Sequence, residues 1–218
     1  MKYKWLNKQN NDKLIVFFNG WGMDEGVVKH LEPGDYDVVM FYDYNNLDTD
    51  FSLDKEYSET NVVAWSMGVM IAGLCHCEEL ALADDAAIHN GTKFVAINGT
   101  LKPIDPKYGI HPKIYDLTIN GFNEKGRDKF IKNMFDKSCS EIKCSRTLEN
   151  QRAELIALKN YKANSDFTPN IFTPDRIIIS DNDKIIPTKS QCAFWGIEPN
   201  FACGHCPFFS FSKWSELL

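Results

Sequence analysis

The strongest constraint on the fold of this chain lies in residues 61–74, where an apolar run rich in β-branched residues reaches Ser66 and continues into a second apolar run. This pattern predicts a strand, a sharp turn and a helix. Such a turn strains its central residue, so the positions two residues away must be small. Gly68 is small, and Ala64 stands where the general pattern has glycine. Ser66 is therefore a candidate nucleophile, and the alternative is a buried strand and a core helix with an incidental serine cap.

Short apolar runs recur along the chain and predict the strands of one sheet. The runs are residues 14–18, 37–41, 61–65, 93–97 and 176–180. Because helical or loop segments separate the runs, we expect a mostly parallel central sheet flanked by helices, in an α/β fold.

Four elements with helical character are also predicted outside residues 101–170. They are a weakly helical acidic segment after residue 46, an exposed helix or turn over residues 78–87, a helix over residues 189–194, and a last helix within the aromatic segment after residue 207.

The strand pattern is interrupted over approximately residues 101–170, which we call the predicted cap. Prolines and a glycine break its first part, and residues 127–137 and 146–162 then have amphipathic helical spacing. We interpret it as a helical insertion within a single domain of residues 1–218. It carries 13 Lys and Arg against 9 Asp and Glu, whereas the rest of the chain carries 11 against 21. A basic insertion could attract an acidic partner, although a solvated helical surface gives the same count.

A serine becomes a good nucleophile when an imidazole takes its proton and a carboxylate orients that imidazole. His205 lies in a late glycine-containing loop, and Asp181 and Asp183 directly follow the last predicted strand. The order Ser66, Asp183, His205 is the α/β-hydrolase order of nucleophile, acid and histidine. Asp183 is preferred because the D-x-I-I-P sequence that it opens resembles the acid loop of such hydrolases. Asp181 and Asp105 remain alternatives.

The sequence N-G-W-G at residues 19–22 follows the first predicted strand. Its two glycines allow a tight turn, so its amides could form half of an oxyanion hole if the turn lies beside Ser66. An ordinary glycine-rich strand exit is the alternative.

Metal binding is the main chemical alternative, because Cys75-His76-Cys77 and the pair Cys203 and Cys206 offer four thiols. However, the chain has no second C-x-x-C, and we expect neither a metal nor a cofactor. The glycine-rich loops that bind nucleotide phosphates are absent, and a net charge of −6 argues against nucleic acid. We find no secretory signal and no apolar run of 18 residues, and the seven cysteines are scattered. These features predict a soluble, cytoplasmic protein with reduced thiols and no membrane contact.

Three blocks carry a family resemblance: FFNGWGMD at residues 17–24, AWSMGV at residues 64–69 and INGTLKPID at residues 97–105. They resemble the BioG-type pimeloyl-[acyl-carrier-protein] methyl ester esterases of biotin synthesis, and the similarity covers nearly the whole chain. The resemblance implies an α/β-hydrolase that removes the methyl group masking the distal carboxylate of a pimeloyl thioester.

Carried onto this chain, the resemblance makes Ser66 the nucleophile, His205 the general base and Asp183 the orienting carboxylate. The backbone amides of Trp21 and Met67 would hold the oxyanion, and the Trp21 side chain could wall the acyl channel or pack in the core. Ala64 departs from the general hydrolase motif, and Asn19 stands where many relatives of the wider fold have histidine.

The resemblance also implies a partner, an acyl carrier protein that carries the methyl pimeloyl group on phosphopantetheine. Basic residues of the predicted cap are candidates for contacting this acidic partner. They are Lys125, Arg127, Lys129, Lys132, Arg146, Arg152 and Lys159. The alternatives are a general small-molecule carboxylesterase, an acyl-thioesterase, or a non-catalytic binding protein with a hydrolase fold.

Overall fold

A six-stranded sheet forms the centre of the computed structural model, which describes residues 1–77, 92–135, 144–164 and 173–218. The strands are β1 (Lys2–Asn7), β2 (Lys13–Phe18), β3 (Tyr36–Tyr42), β4 (Glu59–Trp65), β5 (Phe94–Ile97) and β6 (Arg176–Ile178). Their spatial order is β1-β3-β2-β4-β5-β6. Strands β2 to β6 pair in parallel, and β1 pairs antiparallel with β3 at one edge.

The five predicted strands are β2 to β6, and each lies within two residues of its prediction. Strand β1 was not predicted, because it is a polar edge strand whose first residues are exposed to solvent. An edge strand has only one neighbour and needs no continuous apolar run.

In the described part of the chain, five α-helices accompany the sheet: α1 (Met67–Cys77), α2 (Pro112–Asn120), α3 (Glu124–Met134), α4 (Leu148–Asn164) and α5 (Thr188–Trp195). Short 3₁₀ turns occur at Glu25–Val27, Phe208–Ser210 and Trp214–Glu216. Helices α2, α3 and α4 lie between β5 and β6 in the chain, within the predicted cap. Among the described residues, no helix is both long enough and apolar enough to cross a bilayer.

Some helical predictions were wrong. Helix α2 was missed because Pro112 was interpreted as a breaker, whereas it occupies the start of the helix, where a missing N–H costs nothing. The acidic segment after residue 46 contains no helix, and the aromatic segment after residue 207 forms two 3₁₀ turns instead of a last helix. The prediction for residues 78–87 and the end of the helix predicted at 127–137 lie outside the described residues.

The sheet is buried on both faces, which explains the continuous apolar runs of its inner strands. In β2, Leu14, Val16 and Phe18 belong to the core on one face, with side chains from α1 and α4. Ile15 and Phe17 belong to the core on the opposite face, with the aromatic residues of the last segment. This segment therefore packs on the sheet, as its composition suggested, without forming a helix.

Trp214 tests the packing of the last segment. Its ring is almost completely buried and lies 5.2 Å from the ring of Phe17, centroid to centroid. Replacing Trp214 with alanine should lower the free energy of unfolding by about 3–5 kcal/mol, because it leaves a large cavity against β2. Phe209→Ala is the control, since Phe209 is exposed, and should cost less than about 1 kcal/mol. Urea denaturation measures both values, and equal losses would contradict this packing.

Candidate active site

Ser66 lies at the junction of β4 and α1, in the strained turn that the sequence predicted. Its φ is +59°, a left-handed conformation that side chains other than glycine seldom adopt. Its amide donates to the carbonyl of Ile97 at 2.9 Å. A Cβ on Gly68 would lie 2.4 Å from the carbonyl oxygen of Phe18, and one on Gly99 would lie 2.4 Å from that of Ser66. Backbone segments therefore meet around this turn too closely for side chains at the two glycines.

Three polar side chains meet at the carboxyl edge of the sheet. Ser66 Oγ lies 2.8 Å from His205 Nε2, and His205 Nδ1 lies 2.7 Å from Asp183 Oδ2. All three residues are buried. The other candidate acids have local roles instead: Asp181 accepts from the amide of Cys203, and Asp105 accepts from two amides of its own turn. Of the three candidate acids, Asp183 is therefore the one that lies within hydrogen-bond distance of His205.

Asp183 is held by hydrogen bonds to both of its oxygens. Oδ1 accepts from the amides of Ile185 and Ile186 at 2.8 and 3.0 Å, and Oδ2 accepts from Gln191 Nε2 at 2.8 Å. Gln191 lies in α5, is fully buried, and was not singled out from the sequence. The sequence offered one signal for Gln191, namely its position in the helix predicted directly after the acid loop.

The loop that carries His205 is hydrogen-bonded to residues at the ends of two strands, β4 and β5. The carbonyl of His205 accepts from Trp65 Nε1 and Asn98 Nδ2, each at 2.9 Å. Asn98 Oδ1 accepts from the amide of Ser180 at 2.7 Å, and Asn98 itself has a positive φ of 44°. Sequence reasoning also missed Asn98, although its N-G sequence after β5 marks a residue that tolerates this conformation.

The predicted oxyanion donors lie at the same cavity as Ser66. Trp21 and Met67 both line it, and neither backbone amide donates a hydrogen bond within the described part of the chain. The Trp21 indole Nε1 donates to the carbonyl of Gln151 at 2.8 Å. Its ring packs edge-on against Phe122 and Phe130, so the Trp21 side chain forms part of the cavity wall.

The cavity has a volume of about 430 Å³ and lies between the sheet edge and the helices of the predicted cap. Its wall is largely apolar. Typical residues are Ile110, Ile114, Tyr115, Phe122, Phe130 and Leu155. Among the described residues that line it, the cationic side chains are Lys129 and Lys184. A cavity of this size and polarity suits a small amphiphilic ligand.

The candidate partner-binding residues divide into two groups. Lys125, Lys129 and Lys132 are exposed on α3 and form no ion pair with the described residues, and Arg127 is half-buried on the same helix. The second group is engaged within the protein. Arg152 Nε donates to the carbonyl of Ile119, and Lys159 pairs with Asp116.

Arg146 cannot contact a partner, and that prediction was wrong. Its guanidinium is buried, with Nη1 2.8 Å from Glu154 Oε2 and Nη2 3.3 Å from Asp43 Oδ1. Burial raises the pKa of Glu154, and Arg146 acts to lower it. A charge count along the sequence cannot tell a buried ion pair from a solvated surface.

The zinc alternative finds no support in the geometry of His205, because both of its ring nitrogens already face Ser66 and Asp183. Within the described residues, no three side chains of the metal-binding types cluster together. The side chains of His76 and Cys77 lie outside the described part of the chain.

Comparisons with known proteins agree with this geometry. The family described as "Pimeloyl-ACP methyl esterase BioG" matches residues 1–217. The chain is 36% identical over 188 residues to a malonyl-[acyl-carrier protein] O-methyltransferase of Bacteroides fragilis; the match covers 83% of this chain and 36% of that protein. The chain thus spans about a third of the length of that relative.

Solved structures also match the fold. The crystal structure of BioG from Haemophilus influenzae has a TM-score of 0.84 at 28% identity, covering 100% of this chain and 99% of that one. The carboxylesterase CesB from Bacillus subtilis has a TM-score of 0.51 at 11% identity, covering 99% of this chain and 84% of that one. The fold is that of the α/β-hydrolases.

Gly68 provides a test of the close approach at the Ser66 turn. Gly68→Ala should lower the free energy of unfolding by at least about 2 kcal/mol, because the new methyl group meets the carbonyl of Phe18, which belongs to a buried strand. Gly196→Ala is the control, since that glycine has a positive φ and no heavy atom of the described residues comes within 4 Å of an added Cβ. It should cost only the backbone strain, about 1 kcal/mol. A Gly68→Ala protein as stable as Gly196→Ala in urea denaturation would contradict the geometry.

Proposed function

The chain belongs to the pimeloyl-ACP methyl esterase BioG family, and from this membership we propose that it is a serine carboxylesterase acting on a methyl ester of pimeloyl-[acyl-carrier protein]. The products are pimeloyl-[acyl-carrier protein] and methanol. The observation that carries the proposal is the hydrogen-bonded chain from Ser66 through His205 to Asp183, with Ser66 in the lining of an apolar cavity.

The proposed reaction follows from the geometry of these groups. With His205 Nδ1–H donated to Asp183, Nε2 is the nitrogen that accepts the Ser66 proton. Ser66 Oγ attacks the ester carbonyl, and the amides of Trp21 and Met67 stabilise the negative oxygen that forms. His205 then gives its proton to the departing methoxide, so methanol leaves. A water molecule, deprotonated by His205, attacks the acyl-serine. His205 returns this proton to Ser66 Oγ as the bond between Oγ and the acyl carbon breaks, which frees the distal carboxylate.

The cavity supports an acyl substrate of this kind. Its apolar wall suits the methylene chain between the ester and the thioester, and Lys129 and Lys184 supply positive charge at its lining. The Bacteroides fragilis relative is named a malonyl-[acyl-carrier protein] O-methyltransferase, so its name refers to the methylation of an oxygen on a carrier-linked acyl group. Removal of such a methyl group is the complementary reaction, which also supports the proposal.

The exposed lysines of α3 suit an acidic carrier protein. Lys125, Lys129 and Lys132 are spaced four and three residues apart, so they lie on one face of the helix. Because Lys129 also lines the cavity, this face leads directly to the site. An acidic carrier held there could pass its phosphopantetheine arm inward with the acyl chain.

The role of Ser66 is tested by Ser66→Ala. This substitution removes the proposed nucleophile and should lower kcat on a short aryl ester at least about 10³-fold. A fluorophosphonate probe should label the wild-type protein on Ser66 and leave Ser66→Ala unlabelled. Peptide mass spectrometry locates the label. Wild-type turnover in Ser66→Ala, or no labelling of the wild type, would contradict the esterase assignment and favour a non-catalytic binding protein.

Docking on α3 is tested by the double substitution Lys125→Glu and Lys132→Glu. We measure the ratio of kcat/KM on a carrier-linked methyl ester to that on a small aryl ester. Since long-range attraction to the carrier is reversed, this ratio should fall at least about tenfold, and added salt should lower it in the wild type. Lys29→Glu, an exposed lysine outside α3, is the control and should keep the ratio. A salt-independent ratio that the double substitution leaves unchanged would exclude docking through α3.

A further inference from the structure

The turn at residues 20–23 leaves one backbone amide unused. The amide of Gly20 donates to Asn19 Oδ1 at 2.8 Å, that of Gly22 to Glu154 Oε2 at 3.0 Å, and that of Met23 to the carbonyl of Gly20 at 3.3 Å. The amide of Trp21 donates to no acceptor among the described residues, and Trp21 lines the cavity with Ser66. The hydrogen bonds around Trp21 therefore leave its amide as the one donor of the turn that a ligand can use.

Helix α4 holds this turn from one side. Glu154 accepts from the amide of Gly22, and Gln151 Nε2 donates to the carbonyl of Gly22 at 2.8 Å. The carbonyl of Gln151 accepts from the Trp21 indole. Gln151 and Glu154 are three residues apart, so they lie on the same face of α4, and both are almost completely buried. The peptide that follows Trp21 and the Trp21 ring are thus attached to a single turn of one helix.

Stability alone is a weak explanation for a carboxylate at this position. Burying an ion costs several kcal/mol, and replacing a buried ion pair with apolar side chains is often neutral or stabilising. What a carboxylate provides is two acceptor oxygens and no donor. Glu154 uses both, because Oε1 accepts from the amide of Tyr44 at 2.7 Å while Oε2 accepts from that of Gly22.

Arg146 completes the arrangement electrostatically. An isolated negative charge near the site would oppose the negative charge that develops on the ester oxygen. The guanidinium of Arg146 lies 2.8 Å from Glu154 Oε2 and 3.3 Å from Asp43 Oδ1, and Asp43 also pairs with Lys2, so two cations face two carboxylates. This cluster can therefore fix the turn without adding a net negative charge beside the site.

We propose that Glu154 is a positioning residue for ester hydrolysis: by holding the amide of Gly22 it fixes the peptide between Trp21 and Gly22, and so directs the Trp21 amide toward the oxyanion. This inference rests on the proposed function, since it needs the oxyanion to form at Ser66. It extends the site to a side chain of the predicted cap that contacts neither the cavity nor the reacting atoms.

The test is steady-state kinetics of Glu154→Ala on a small aryl ester, with no carrier protein present. Complete removal of an oxyanion donor lowers kcat about 10²–10³-fold. A donor that is present but less well directed should cost less, so we expect a loss of about 10–100-fold. The KM should change by less than about threefold, because the lost interaction acts in the transition state. The rate of fluorophosphonate labelling of Ser66 should fall in parallel.

Two further variants separate positioning from general loosening. Leu158→Ala lies one turn further along α4 in the buried core, and should destabilise the protein by about 2–5 kcal/mol while keeping kcat within about twofold. Glu154→Gln keeps the shape but loses one of the two acceptor oxygens, so its kcat should lie between those of the wild type and Glu154→Ala. If Glu154→Ala does not fold, Glu154→Gln decides the question by a kcat loss that Leu158→Ala does not show.

The proposal is overturned if folded Glu154→Ala keeps kcat within about twofold of the wild type. Equal kcat losses in Glu154→Ala and Leu158→Ala would overturn it too, since the effect would then be general. Because the aryl ester contains neither a carrier protein nor a pimeloyl chain, these results do not depend on the proposed physiological substrate. A wild-type protein that cleaves the aryl ester but not the carrier-linked methyl ester would contradict only the substrate.

Discussion

The left-handed backbone of Ser66 is the constraint on which the rest of the site depends. A non-glycine residue in this conformation costs about 1–2 kcal/mol, so its surroundings must hold it there. They do so through the hydrogen bond from the Ser66 amide to Ile97 at 2.9 Å, and through glycines that let neighbouring backbone segments approach closely. As a result, the Ser66 hydroxyl group lies just beyond the end of β4, at the same sheet edge as the ends of β5 and β6.

The histidine and the acid are held by the same sheet edge. Asn98 follows β5, has a positive φ like Ser66, and bonds both to Ser180 after β6 and to the carbonyl of His205. Asp183 is fixed by its own turn and by Gln191 of α5. Glu154 and Gln151 of α4 hold the turn that carries Trp21 through hydrogen bonds to Gly22. Each functional group thus has a buried polar partner, as expected where geometry must be kept within a fraction of an ångström.

Local sequence patterns were sufficient to predict the elements that determine the fold. The apolar runs gave five of the six strands, because parallel strands buried on both faces need continuous apolar residues. The small residues around Ser66, and the positions of Asp183 and His205 after later elements, predicted which side chains would meet. Strand β1 escaped prediction because it is a polar edge strand.

The supporting residues could not be predicted, because their partners are distant in sequence. Asn98 contacts Ser180 and His205, 82 and 107 residues away, and Glu154 contacts Gly22, 132 residues away. The N-G sequence at Asn98 indicates its backbone conformation but not its partners. Glu154 has no local signature, since in the sequence a buried polar side chain of a helix looks like a surface one. Arg146 shows the same limit: it was interpreted as part of a basic surface and is buried against Glu154.

The central claim is that Ser66, His205 and Asp183 hydrolyse the distal methyl ester of a carrier-linked acyl chain through an acyl-serine. The most direct measurement is intact mass spectrometry of methyl pimeloyl-[acyl-carrier protein] after incubation with the protein in heavy-oxygen water. We expect the product to lose one methylene relative to the substrate, to keep its thioester, and to carry one heavy oxygen in the new carboxylate. An unchanged carrier mass, release of the carrier thiol, or heavy oxygen found in the methanol instead would contradict the account.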